Sequence, residues 1–312
     1  MALKQVMEIY ELLDSAKVNG DQVAQLLRGK GIEELEVRPL RGEKGTTDSI
    51  KVRIPGTRGR KSGGLSPTLG VIGRLGGIGA RPQMIGLVSD ADGAIASLSV
   101  VLRLAEMRER GDRLAGDVIV ATHICPDAPT TPHEPVPFMG SPVDMKSLNA
   151  HEVDPEMDAI LSIDTTKGNR IINHRGFAIS PTVKEGYILR VSEDLLALME
   201  ITTGKRPFVF AITTQDITPY GNGIFHINSI MQPCVATKAP VVGLAITAES
   251  TVPGCATGAS HIVDIEEVVR FSIEVAKNFG MEKCRFYDED EFQKISDLYG
   301  SMHHLQTLGG NR

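Results

Sequence analysis

The sequence predicts an α/β fold, a mostly parallel mixed sheet sandwiched by helices, and two observations carry that prediction. Residues 117–122, 159–164 and 241–246 are short, nearly uninterrupted apolar runs, as expected of strands buried on both faces. Segments of helical period lie between them, clearest where Ile95, Leu98, Val101, Leu102 and Ala105 fall on one face. Strands that alternate with helices form a parallel sheet covered on both sides.

In chain order, helices are expected at 3–16 and 20–29, followed by strands at 34–39 and 48–54. The basic, glycine-rich segment GTRGRKSGG (56–64) reads as a mobile loop. A strand at 68–73 runs into a glycine-rich turn from Arg74 to Pro82. The long helix covers 93–110 and stops at Gly111. Further strands are expected at 117–122, 159–164, 208–213 and 241–246, and helices at 193–203, 223–231 and 265–279. The last of these begins in a capping box, with Asp264 accepting from the amide of Glu267. No repeat and no linker interrupts the pattern, so one domain is expected over residues 1–312. Its irregular part is 34–64, and a helical tail occupies 285–312.

Composition narrows the function. The 312 residues carry a net charge of −6, which offers no attraction to nucleic acid or anionic lipid. Tryptophan is absent, so platforms for base stacking are scarce. Cys125, Cys234, Cys255 and Cys284 form no C-x-x-C pair, a usage that suits a reducing compartment and predicts a cytoplasmic protein. No apolar run reaches the ~18 residues of a membrane span.

Candidate chemistry gathers behind the strand at 117–122. It empties into His123, Cys125, Asp127, His133 and Glu134, on a segment stiffened by Pro126, Pro129 and Pro132. In open α/β sheets, ligands bind beyond the carboxyl ends of the strands. Asp164 closes the strand 159–164, and Asp90 and Asp92 precede the long helix. Helix capping, worth ~1 kcal/mol, accounts for one of those two aspartates but hardly both. Imidazoles and carboxylates together suit zinc, manganese or iron. His261 lies in a loop that also opens at a strand's carboxyl end. His226, in the apolar run Ile224 to Ile227, reads as a packed helix residue, and Cys125 before Pro126 lacks a helix N-terminus to activate it. The glycines of 73–79 do not make a dinucleotide fingerprint, because Pro82 stops the helix that the third glycine would open.

Three stretches resemble the co-catalytic zinc aminopeptidases of the cellulase-M and glutamyl-aminopeptidase kind. They are Ser89 to Leu98, Asp158 to Asp164, and Ala239 to Ile246 continuing through Asp264 to Glu267. The chain is similar also to an uncharacterised prokaryotic family of unknown function. The resemblance implies a zinc-exopeptidase-like fold, a metal-bridging aspartate at Asp90 or Asp92, a metal-binding Asp164 and homo-oligomerisation. The chain departs from the family's pattern at three places. Arg74-Leu-Gly76 stands where the family has His-x-Asp, His123 to Asp127 where it has Glu-Glu, and the inserted second domain is missing.

The expected function is therefore a metal-dependent hydrolase of a small amide or peptide with a rebuilt zinc or manganese site. Asp90, Asp92, His123, Asp127, Asp164 and His261 form its pool of ligands, and His133 or Glu134 moves the proton. Arg74 binds a substrate carboxylate. Its partner would be a small molecule or short peptide, with neither nucleic acid nor membrane. Two other readings stand beside it. One is a catalytically silent relative that binds small molecules or serves as an assembly subunit. The other is an anion- or nucleotide-binding enzyme using residues 73–79 and 58–61.

Overall fold

The computed structural model describes residues 1–74, 76–81, 86–132, 138–166, 168–250 and 260–306. Two N-terminal helices, α1 (Leu3–Leu13) and α2 (Gly20–Gly29), are followed by a hairpin of β1 (Leu35–Gly42) and β2 (Gly45–Ile54). Then come β3 (Leu69–Gly73), the short β4 (Ala80–Arg81), the long helix α3 (Asp92–Glu109) and β5 (Val118–Ile124). Short β6 (Ala128–Thr131) and β7 (Phe138–Met139) precede α4 (Met145–Glu152) and β8 (Ala159–Thr165). The last part holds β9 (Gly176–Ile179), β10 (Val183–Lys184), β11 (Tyr187–Ile188), α5 (Glu193–Thr203), β12 (Val241–Thr247), α6 (Ile262–Gly280) and α7 (Glu289–Tyr299).

The main sheet has the order β1-β2-β5-β3-β8-β12-β10-β11, with β9 pairing along β12. Its centre is parallel: β3 lies between β5 and β8, and β8 pairs with β12. The flanking β2 and the strands β9 and β10 run antiparallel to it. The α/β sandwich read from the apolar runs is the fold observed, because burial on both faces removes the polar alternation from β3, β5, β8 and β12 alike.

Strand parity divides the core. Val71, Val120, Leu161 and Leu244 face one side, where α1, α3, α5 and α6 pack. Ile72, Ile119, Ile160 and Ala245 face the other, beneath a 3-10 turn at Ser229–Val235. Each fully buried Leu, Ile or Phe contributes about 1.5–3 kcal/mol. No helix among the described residues is long and apolar enough to cross a membrane.

Four local expectations are corrected. Segment 56–64 is tied down rather than mobile: Asp117 accepts from the amides of Gly56 (2.8 Å) and Lys61 (3.1 Å), and Arg60 pairs with Asp158. Residues 208–213 make only one bridge, Val209 to Ile179, since Phe208 and Val209 lie at the surface. The helix expected at 223–231 gives way to glycine turns, with positive φ at Gly221 and Gly223, and to the later 3-10 turn. The helix expected from 265 begins at Ile262 with His261 as N-cap, so no box joins Asp264 to Glu267; Glu267 bonds Lys205 instead.

Candidate active site

Strand parity also sets the site. Arg74 follows Ile72 by two positions, His123 follows Ile119 by four, and Asp164 follows Ile160 by four. All three therefore stand on the second face, at the carboxyl ends of adjacent strands β5, β3 and β8. That face is closed by α4, which Asp144 caps by accepting from the amide of Ser147 (2.9 Å). Its last turn delivers Asn149 and Glu152, three positions apart and hence on one side of the helix.

Arg74, Glu152 and His123 form one buried cluster. Arg74 Nη1 donates to Glu152 Oε2 and, at 3.4 Å, to Asn149 Oδ1. Glu152 Oε1 lies 2.8 Å from His123 Nδ1. His123 Nε2 accepts from the Gly76 amide at 3.1 Å, and because a backbone N–H only donates, the ring proton sits on Nδ1. Burial pushes the Glu152 carboxyl upward, but the Arg74 charge and the His123 contact outweigh it and hold the group below its ordinary value.

Asp164 is its counterpart. Its Oδ1 accepts from the Thr165 amide (2.7 Å) and its Oδ2 from Ser229 Oγ (2.7 Å). Burial pushes its carboxyl up to about 7, and the charge of Asp90 adds to this, against the opposing bonds and the more distant Arg74. Asp90 and Asp92 are thereby distinguished: Asp90 lies in the field of Asp164, whereas Asp92 takes the hydroxyl of Ser260 at 2.5 Å.

A cavity of about 400 Å³ adjoins the cluster, with Met145, Asn149, Tyr220 and Gln232 in its wall. Burial, and then the charge of Asp164, raise the Tyr220 phenol above its ordinary value, so it remains a hydroxyl donor. Gln232 is held in place, accepting from the Tyr220 amide and donating to the Thr218 carbonyl. A larger cavity of about 870 Å³ lies away from these groups, lined by residues such as Pro67, Asp158 and Pro240 that precede β3, β8 and β12 at their amino ends. Size alone does not make it the active site; the titratable groups converge at the carboxyl edge.

The remaining expected residues scatter. Asp127 is exposed in the turn after β5, and His261 is half-exposed at the head of α6, 3.3 Å from Asp264. His133 and Glu134, expected to move the proton, and Cys255 lie outside the described residues. His226 is buried and stacked on Tyr220, with both ring nitrogens facing backbone carbonyls, so it is packed as expected but in a turn and not a helix. Arg74 is not displayed on a surface but buried in an ion pair with Glu152.

These donors do not fit a two-metal centre. Both ring nitrogens of His123 are spent, and the Arg74 cation stands in the same cluster, paired with Glu152. Among the described residues, no three His, Cys, Asp or Glu side chains are grouped to hold a metal ion. The glycine run does not form a phosphate cradle either. It pairs with the exit of β5, the Ile78 amide donating to the Cys125 carbonyl and the Cys125 amide to Gly76. Glu152 and Ser229, like Met145, Asn149, Tyr220 and Gln232 of the cavity wall, are members of the site that sequence reasoning missed; Asp144 followed by Ser147 was a legible helix start that would have placed Glu152 in a final turn.

Comparison with known proteins gives a family and a fold. The chain belongs to a family described as "Protein of unknown function (DUF1177)", whose pattern matches residues 38–309. No curated protein sequence matches it. Among solved structures, it is similar to the apo leucyl aminopeptidase from Trypanosoma brucei, with 10% identity and a TM-score of 0.51 over 86% of this chain and 60% of that one. The apo leucyl aminopeptidase from Trypanosoma cruzi matches at 12% identity and a TM-score of 0.49, over 85% and 62%. The chain thus spans less than two thirds of the length of either, and the likeness to the first is one of fold.

Proposed function

We propose that this DUF1177 chain is a peptidase-type hydrolase of a small amide or short peptide, working at the carboxyl edge of β5, β3 and β8 with Asp164 as general base. One observation carries the reading: a strand-end carboxyl group, wholly buried beside an acidic neighbour and a fixed cation, has its pKa raised to about 7. A general base is most effective when its pKa lies near the working pH.

In this reading, Asp164 takes one proton from a water molecule as the water oxygen bonds to the amide carbonyl carbon. The C–N bond then breaks, and Asp164 returns the proton to the leaving nitrogen. The products are a carboxylic acid and an amine, which become carboxylate and ammonium when the acid passes its proton to the amine. Ser229 orients the carboxylate that does this, and the hydroxyl of Tyr220, a residue of the cavity wall, is the donor assigned to the carbonyl oxygen. The Arg74–Glu152–His123 cluster holds the floor rigid. The likeness to aminopeptidase folds supports this class of reaction by analogy only.

The test is a screen of dipeptides, N-acyl amino acids and small amides, with and without added zinc or manganese. Wild-type turnover should fall 10²–10⁴-fold in Asp164→Asn. If no such amide is hydrolysed under any of those conditions, the reading is wrong. A second reading, a small-molecule-binding protein without catalysis, is favoured by how completely His123 and Gln232 are bonded inside the protein. It expects a ligand that raises the melting temperature and is never turned over.

A further inference from the structure

The fully buried guanidinium of Arg74 is satisfied along only part of its perimeter. Nη1 serves Glu152 and Asn149. Nη2 meets the thioether sulfur of Met145, a weak acceptor, and Nε has no partner among the described residues. Nε–H and the neighbouring Nη2–H point the same way in the plane of the group. They make the side-on fork that receives both oxygens of a carboxylate. An arginine so deeply buried, with this fork turned on a sulfur atom, is built for an acceptor that none of the described residues supplies.

The fork's cover is also a wall of the cavity. Met145 and Asn149, which touch the guanidinium, line the space of about 400 Å³ that Pro219, Tyr220 and Val235 complete. A methionine is flexible enough to swing aside, which exposes the fork to whatever occupies the cavity. Glu152 occupies the Nη1 end and leaves the side-on edge to a second acid.

We propose that the Nε–Nη2 edge of Arg74 is a carboxylate subsite of this cavity, with Met145 as its displaceable cover. The ligand is a small acid with an apolar body, such as an N-acyl amino acid or a short peptide with a free C-terminus. The amide in that class rests on the hydrolase reading above; the carboxylate does not. Recognition of this kind holds the substrate by its acid end and not by its amine.

The test compares N-acetyl-L-leucine with its carboxamide on the full-length protein by calorimetry, with ¹⁵N-arginine labelling to follow the Arg74 Nε–H by NMR. The acid is expected to bind at least tenfold more tightly than the carboxamide and to shift one Nε–H resonance, the one missing from Arg74→Lys. Met145→Ala should retain that preference. Equal affinities, no binding of either compound, or an unchanged acid preference in folded Arg74→Lys would overturn the proposal. If Arg74→Lys does not fold, the wild-type spectrum decides: acid that moves no arginine Nε–H signal has the same meaning. Acid binding without amide hydrolysis defeats only the hydrolase reading, whereas hydrolysis indifferent to a free carboxylate defeats only this subsite.

Discussion

Glu152 accepts the Nδ1 proton of His123 at 2.8 Å, linking the last residue of α4 to the end of β5 in the sealed floor of the site. Its other oxygen takes Arg74, so one carboxylate neutralises the cation and fixes the imidazole tautomer at once. Removing one partner of such a buried pair leaves a charge uncompensated, at a cost of about 3–5 kcal/mol. Glu152→Gln should show that loss in urea unfolding, and Arg74→Met combined with Glu152→Gln should recover part of it. A single variant within 1 kcal/mol of wild type would show that the cluster does not stabilise the fold.

The same residue contributes to the acid sensitivity of the protein. Its folded-state carboxyl is held below its ordinary 4.5 by Arg74 and His123, against the opposing effect of burial. The unfolded chain therefore binds the proton first as pH falls. The stability this provides is complete above about 4.5 and is lost as pH drops through the lower, folded value. Wild type should lose stability over that window, and Glu152→Gln should lose less, as followed by chemical denaturation between pH 3 and pH 7.

Asp164 gives the opposite sign. Its carboxyl is raised from 3.8 to about 7, chiefly by burial. Below 3.8 both states are protonated and the group costs nothing. Between 3.8 and about 7 only the unfolded chain ionises, and stability falls by up to ~1.4 kcal/mol per pH unit before levelling off. Asp164→Asn removes this dependence. Its stability relative to wild type should be higher at pH 8 than at pH 4, and a difference flat with pH would place the carboxyl in its ordinary range.

Ser229 modulates that proton. Its hydroxyl donates to Asp164 Oδ2 at 2.7 Å and favours the ionised form, which lowers the pKa against burial. In Ser229→Ala the acidic limb of kcat/KM against pH should move upward by a few tenths to one pH unit. Loss of rate with an unmoved limb would mean that another group titrates.

Much of this arrangement was legible in the chain. Arg74, His123 and Asp164 share parity with Ile72, Ile119 and Ile160, so once the strands are recognised their side chains must fall on one face. The strands themselves stand out because double burial makes them continuously apolar. By contrast β10 and β11 have two residues each, too few for any period, and are held by tertiary pairing to Val241 and to each other. α4 was hidden for a related reason. It has eight residues, of which only Leu148, Asn149 and Glu152 are buried, and two of those three are polar, so its inner face carries no apolar signal. The resemblance directed attention to metal ligands, while the polar pairs that organise the site lie 29 and 78 positions apart in sequence and declare themselves only when folded.

The loop at 56–64 offers the last prediction, because its composition suggests mobility and its bonds forbid it. Asp117 is fully buried, and its two oxygens take the amides of Gly56 (2.8 Å) and Lys61 (3.1 Å). Gly59 passes so close that an added Cβ would fall 1.9 Å from Asp117 Oδ1, which is why the turn needs a glycine there. Outside this anchor, the loop's basic side chains make exposed pairs, Arg60 with Asp158 and Lys61 with Glu34, which contribute at most ~1 kcal/mol each, and the amides of Thr57 and Arg58 donate to the carbonyls of Leu114 and Ala115. The buried carboxylate is therefore the side-chain anchor of the loop beyond Arg58. Asp117→Ala strips both amides of their acceptor, at roughly 1–3 kcal/mol apiece. Arg58, Arg60 and Lys61 should then become rapid trypsin sites in otherwise folded protein. Lys61→Ala and Arg60→Ala, which break only the surface pairs, should leave the remaining sites nearly as resistant as in wild type. Equal cleavage of all three variants would show that Asp117 is not what holds the segment.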